Sequence, residues 1–304
     1  ARKVSQQALE QRFSSLPADL FKRVLDEVLP LMAARWATRT RPLPPALQWA
    51  RDHFTATVAV DGSTLDALLR KTGLLRDGQG GVLAGRIAGL LDVISRLPRQ
   101  VWYEEDAQAH DQRFWDRILA GLERGMLLLF DLGFLNVARF DQLTDAGVWF
   151  LTRKATRTVT RTERVLRKTA TLHDQVVRLG STATSQCAHP VRLVEWLHQG
   201  TWYGYLTNVL DPAMLPAEYV VALYWQRWRI EDSLNVIKRL LGLAFFWTGR
   251  SNGIQIQVWA TWILYAVLVD LTDAVAEALN KPFAALSMEM IYRGLYHFTV
   301  AHHR

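Results

Sequence analysis

The chain has 304 residues, enough for one large domain or two modest ones, and half of it is hydrophobic, so a substantial core can form. Lysine and arginine outnumber aspartate and glutamate by 36 to 29, a net charge of +7 that favours a polyanionic partner such as nucleic acid. The single cysteine, Cys187, excludes an internal disulfide and a cysteine-rich zinc site and suits a reducing cytoplasm.

No signal-peptide pattern opens the chain, and its start at Ala1 rather than Met leads us to expect a preceding piece. Residues 1–50 read as helical. Ser5 is placed to cap a helix running through Phe13. Pro17 is placed for the first turn of a second helix, which carries Leu20, Phe21, Val24, Leu25, Val28 and Leu29 at helical spacing. Arg35, Arg39 and Arg41 follow near its end, and Pro42, Pro44 and Pro45 then break the chain. Two readings stand open: a packing subdomain with basic residues at a helix C-terminus, or an incomplete DNA-reading module with a helix near Gln6–Arg12 in a groove.

Residues 51–150 alternate between strand and helix patterns. Phe54–Val60 is β-branched and apolar and ends in Asp61-Gly62-Ser63. Gly85–Ile94 and Gln100–Glu105 are further strand candidates. His110-Asp111 opens a helix through about Leu122, with Phe114, Trp115, Ile118, Leu119 and Leu122 at helical spacing; His110 reads as a cap or local hydrogen bond. Met126–Phe130 is a continuous apolar run that fits a strand buried on both faces, and it ends in Asp131-Leu132-Gly133. A short helix about Leu135–Asp145 and a strand at Gly147–Leu151 follow. An aspartate closing a core strand can be a turn former and nothing more.

Residues 151–204 change character, with threonine, valine and arginine dominant. This pattern predicts exposed antiparallel strands, a turn at Gly180-Ser181 and a strand at Trp202–Leu206. The arginine density, Arg157, Arg161 and Arg164 included, favours phosphate contacts over a merely soluble edge. Twelve tryptophans serve equally for core packing and base stacking, so their number decides nothing. Residues 251–304 read as helical and apolar on wide faces, with Trp259, Trp262, Tyr265, Leu268 and Leu271 spaced to pack. They carry no evident chemistry and complete the core or form a subunit contact. The run Val258–Val269 is shorter than the about 18 residues of a membrane span, which predicts a buried helix.

The stretch 224–238 carries the densest chemistry. It reads as one helix without Gly or Pro. At about 100° per residue, Tyr224, Arg227, Glu231 and Lys238 fall within roughly a 60° stripe, while Leu223, Trp228, Ile230, Leu234 and Ile237 offer apolar surface to bury. Such a stripe is either a solvated face of spaced ion pairs or a site that grips an anion and places a carboxylate on a metal.

The spacing Tyr-x2-Arg-x3-Glu-x6-Lys resembles the Y-R-E-K signature of bacterial insertion-sequence transposases, in which the Glu completes an Asp-Asp-Glu metal triad. The resemblance covers about residues 51–260, and Asp61 and Asp131 are the two upstream aspartates it requires. It implies an α/β fold: a ribonuclease H-like mixed sheet flanked by helices, made from residues 51–150 plus 205–250, with a β-rich basic insertion at 151–204 and helical parts at 1–50 and 251–304. It implies Mg²⁺ at Asp61, Asp131 and Glu231, with Mn²⁺ substituting and Asp61 shared by two ions. It implies phosphate contacts from Tyr224, Arg227 and Lys238, and double-stranded DNA, transposon ends and target, as substrate. It also implies a homodimer in a synaptic complex and a cytoplasmic, nucleoid-associated location. Water would attack first and the freed 3′-hydroxyl second, with a hairpin intermediate in similar enzymes. An aromatic on the insertion would stack on a displaced base, and Trp149, Trp196 and Trp202 are the available rings. Relatives often carry Arg where this chain has Leu132, a departure that leaves the three carboxylates in place. A cutting-only nuclease and a non-catalytic DNA-binding remnant remain the alternative readings.

Overall fold

The computed structural model describes residues 5–65, 85–106, 110–134, 136–180, 186–243, 246 and 250–302. Three helices lead: α1 (Gln6–Ser15), α2 (Ala18–Ala37) and α3 (Pro45–His53). Ser5 caps α1 through Ala8 N–H at 3.2 Å. Pro17 takes the N-cap position of α2 rather than its first turn. The strands and helices that follow are β1 (Thr57–Thr64), β2 (Arg86–Asp92), β3 (Pro98–Glu104), α4 (Trp115–Ala120), β4 (Leu127–Phe130), α5 (Val137–Asp145) and β5 (Trp149–Arg153). This is the predicted order, with β1 running three residues past Asp61. The predicted start of α5 at Leu135 lies outside the described residues. The helix expected from His110 begins instead as a 3-10 turn over Asp111–Phe114, and the His110 side chain makes no cap hydrogen bond.

The second half supplies β6 (Thr160–Lys168), β7 (Leu172–Leu179), β8 (Val191–His198) and β9 (Thr201–Thr207). The predicted Gly180-Ser181 turn falls partly outside the described residues. Helices α6 (Ala217–Trp225), α7 (Trp228–Asn235), a π-helical turn (Val236–Leu240), α8 (Ser251–Ala278) and α9 (Met288–His302) complete the described chain.

All nine strands join one sheet in the order β3-β2-β1-β4-β5-β9-β8-β7-β6. β1, β4 and β5 are parallel neighbours, and the other pairs are antiparallel. The first five strands have the ribonuclease H-like arrangement. The β-rich stretch expected as an insertion continues the same sheet through β9, which pairs with β5.

Strand alternation divides the core into two layers. Ala59, Ile87, Leu91, Leu127, Leu129 and Leu151 pack on the side of α2, α6, α7 and α8. Val58, Val60, Ala88, Leu90, Leu128, Phe130 and Phe150 pack on the side of α4 and α5. Helix α8 is long and apolar enough to cross a bilayer, but two thirds of its most apolar stretch is buried within the protein. It packs on α2. Arg39 Nη2 bonds Asp270 Oδ1 at 2.8 Å, and Arg41 bonds the fully buried Asp273. Arg35, more exposed, also pairs with Asp270 at 3.1 Å, so all three arginines at the end of α2 engage α8 carboxylates.

At the far side of the sheet Arg192, fully buried, meets Asp174 with two bonds of 2.7 Å and donates to the Leu215 carbonyl at 2.6 Å. This ties β7 and β8 to the loop that enters α6.

Candidate active site

The two-residue period of a strand fixes which side each aspartate takes. Val60 and Phe130 belong to the α4/α5 layer, so Asp61 and Asp131, one residue on, follow the parity of Ala59 and Leu129, which belong to the layer under α7. β1 and β4 are parallel neighbours, so their C-terminal ends lie side by side. Glu231 sits in the first turn of α7, which packs against β1.

Asp131 and Glu231 both act electrostatically on Asp61. The Asp61 carboxyl is pushed up from 3.8 to about 7, chiefly by burial and then by Asp131, with Glu231 adding to the rise. The Gly62 N–H and the Arg227 guanidinium pull the other way. Each carboxylate also has a local partner. Gly62 N–H donates to Asp61 Oδ1 and Gly133 N–H to Asp131 Oδ1, both at 2.8 Å. Glu231 Oε1 lies 2.7 Å from Arg227 Nη1. Among the described residues no group of three or more His, Cys, Asp or Glu side chains stands at metal-ligand spacing. The donor set nonetheless suits a hard divalent cation: three carboxylates, all oxygen, whose mutual repulsion a cation relieves.

The predicted single helix over 224–238 is not uniform. Between α6 and α7 the backbone tightens: Gln226, Arg227, Arg229 and Ile230 N–H groups bond to carbonyls three residues back. Residues i and i+3 eclipse in that tighter geometry. Tyr224 and Arg227 therefore stand over one another, with the guanidinium carbon 5.9 Å from the phenol ring centre. The chain then loosens at the π-helical turn that carries Lys238. Leu223, Ile230, Leu234 and Ile237 are buried as expected, whereas Trp228 is 49% exposed and Trp225 61%. The expectation that Trp228 is buried assumed an uninterrupted α-helix.

Arg227 is 6% exposed, and its Nε has no hydrogen-bond partner among the described residues. Burial works against its charge, but Glu231, Tyr224 and Asp61 outweigh that and hold the guanidinium above its ordinary value. Tyr224 is buried against Tyr205, with ring centres 5.2 Å apart. Burial raises its phenol and Arg227 opposes the rise. Lys238 is half-buried and bonds Ser63 Oγ on β1. Burial lowers its ammonium against the pull of Asp61.

Arg157, Arg161 and Arg164 are exposed, in the turn before β6 and on β6 itself. β6 is the sheet edge, five strand spacings from β4, or about 24 Å. They are not brought to the carboxylates. Trp149 and Trp196 are partly buried against the core. Trp202 is 41% exposed and stacks on His173, with ring centres 4.3 Å apart. Leu132 is exposed in the 3-10 turn after Asp131.

Three neighbours of the site escaped the sequence reading. Ser63 receives Lys238. Arg153, at the end of β5, acts electrostatically on Tyr224. Gly89 pairs directly with Asp61 across β1 and β2. Gly89 carries no chemical signal of its own, and Arg153 is hidden in the arginine-rich stretch that follows it.

Comparisons with known proteins bear on the family and the fold. The chain is similar to the protein named "Putative transposase y4zB" of Sinorhizobium fredii, 29% identical over 212 residues that cover 65% of this chain and 56% of that protein. It also resembles the piggyBac transposase in a synaptic complex with hairpin DNA, with a TM-score of 0.50 and 10% identity over 79% of this chain and 51% of that one. At that identity the likeness concerns the fold. The chain thus spans little more than half the length of either relative. The model of the Transposase DDE domain matches residues 55–267, from the start of β1 into α8, and the chain belongs to that family.

Proposed function

We propose that this chain is the catalytic core of a DNA transposase in which Asp61, Asp131 and Glu231 hold Mg²⁺, or Mn²⁺ in its place. What supports the reading is that β1, which carries Asp61, and β4, which leads into Asp131, are parallel neighbours, and that α7, which carries Glu231, packs on β1. A bound divalent cation supplies Lewis-acid activation of an attacking oxygen and stabilises charge on the phosphate and leaving oxygen.

The remaining work falls to the chain's own side chains. Arg227 has unspent donors on a buried, fixed guanidinium, which suits two phosphate oxygens at once. Tyr224, kept neutral by burial, can donate its hydroxyl to the same phosphate. Lys238 releases Ser63 to meet a phosphate further along the strand. Arg157, Arg161 and Arg164 extend the contact by roughly seven base pairs of duplex. The substrate is double-stranded DNA, cut to free a 3′-hydroxyl that is then joined to a second strand. Bringing two ends together calls for two copies of the chain.

The test is Mn²⁺-dependent nicking and joining of a plasmid carrying the DNA that flanks the gene. Glu231→Gln should abolish cutting while DNA affinity stays within about twofold. Full cutting by that variant would sink the triad, and cutting without joined products would leave a nuclease.

A further inference from the structure

Helix α7 is held from behind by α8. Tyr265 is fully buried, and its hydroxyl lies 2.6 Å from Ser233 Oγ on α7 and 3.1 Å from the Arg96 carbonyl in the turn between β2 and β3. Ser233 Oγ donates to the Arg229 carbonyl at 2.7 Å, which leaves the serine oxygen to accept from the phenol. Burial pushes this phenol up to about 12, so it remains a donor. The turn it reaches is itself fixed. Asp92 Oδ1 accepts from Ile94 N–H, Ser95 N–H and Ser95 Oγ at 3.0, 2.8 and 3.0 Å. Arg96 is held at φ +63°, a left-handed conformation that side chains other than glycine seldom adopt.

One turn earlier on α8, Trp262 is fully buried and meets Tyr265 edge-on, ring centres 5.5 Å apart. Its indole fills the space above Gly89. A Cβ at position 89 would meet the indole at 3.5 Å and Ile230 Cδ1 at 3.9 Å. Gly89 is the cross-strand partner of Asp61, and Ile230 precedes Glu231. Cross-strand partners share a face of the sheet. One continuous packed column therefore runs from the strand pair that holds Asp61, through Trp262, to the helix turn that holds Glu231.

We infer that Tyr265 and Trp262 are positioning residues for the carboxylate cluster: they set the height and rotation of α7 over β1 and β2, and so where Glu231 stands relative to Asp61. The inference rests on the cluster reading above. Tyr265 and Ser233 act as one unit, the phenol against rotation of α7, while the indole acts as a spacer.

The test measures Mn²⁺ affinity by calorimetry on the full chain, well below its unfolding temperature, beside single-turnover cleavage and DNA affinity. Tyr265→Phe keeps the ring and removes only the hydroxyl. It should weaken Mn²⁺ binding about tenfold, as loss of a supporting partner does, and slow cleavage similarly, with DNA affinity within about twofold. Ser233→Ala should do the same, and the double variant should be no worse than the worse single, because both remove one shared bond. Unchanged Mn²⁺ affinity and cleavage in Tyr265→Phe and Ser233→Ala, with binding lost in Asp61→Asn, would overturn the positioning role and leave the cluster reading intact. Wild-type Mn²⁺ binding by Asp61→Asn would overturn the cluster reading and the positioning role with it.

Discussion

Asp61→Asn should stabilise the cation-free protein at pH 8. The wild-type carboxyl is raised from 3.8 to about 7 by burial, Asp131 and Glu231, so its ionised form is disfavoured in the folded state. At about 1.4 kcal/mol per pKa unit the shift corresponds to at most about 4 kcal/mol. The side chain is only partly shielded from solvent, so about 2 kcal/mol is the working figure. The sign follows from proton linkage. A carboxyl raised on folding adds stability that is fully present below about pH 4 and is lost as pH rises through about 7. Asparagine keeps the shape and still accepts the Gly62 N–H, but has no charge to lose. Calorimetric melting should therefore find the variant roughly 4 °C above wild type at pH 8 without divalent ions, and the two should converge near pH 4. Mn²⁺ should raise the wild-type melting temperature at pH 8 by mass action and barely move the variant. A difference that stays constant from pH 4 to 8, or equal Mn²⁺ stabilisation of both proteins, would refute the argument from burial and repulsion.

Arg227→Ala should weaken DNA binding and cutting together and reduce the slope of log affinity against log salt by about 1; an unchanged slope would remove the phosphate contact. Asp174→Ala leaves the fully buried Arg192 without its carboxylate and should cost about 3–5 kcal/mol in urea unfolding. A loss below about 1 kcal/mol would mean that water or the Leu215 carbonyl compensates for the missing carboxylate.

The parts of the fold legible in the sequence are those with local causes. Val58, Val60 and Leu127–Phe130 fill a sheet buried on both faces, and such strands read as apolar runs whose polar ends stand out. Ser5 and the helical period of α2 were legible for the same reason. Strand β8 carries no such local mark, because Arg192 and Glu195 interrupt its apolar pattern. The arginine is buried only because Asp174, eighteen residues earlier, meets it across the sheet. A pairing of that kind leaves no mark within a local window. The exposure of Trp228 was hidden likewise: nothing in Trp225-Gln226-Arg227-Trp228 is a helix breaker, so the tightened turn between α6 and α7 has no local signature.

That tightened turn bears on how the proposed site is built. A uniform α-helix would set Tyr224 and Arg227 about 60° apart, whereas the tighter geometry eclipses them and places the guanidinium against both the phenol and Glu231. Farther along, the π-helical turn under-rotates the chain and sends Lys238 to Ser63, two residues past Asp61 on β1. Two opposite departures from α geometry thus gather Tyr224 and Arg227 beside Glu231 and send Lys238 toward β1. Between them α7 keeps regular geometry, with Ile230, Ser233 and Leu234 buried on its inner side. The regular segment is the one that must hold a carboxylate at a fixed place. The irregular segments carry the groups proposed to meet phosphate: Tyr224 and Arg227, buried beside Glu231, and Lys238, half-buried against Ser63.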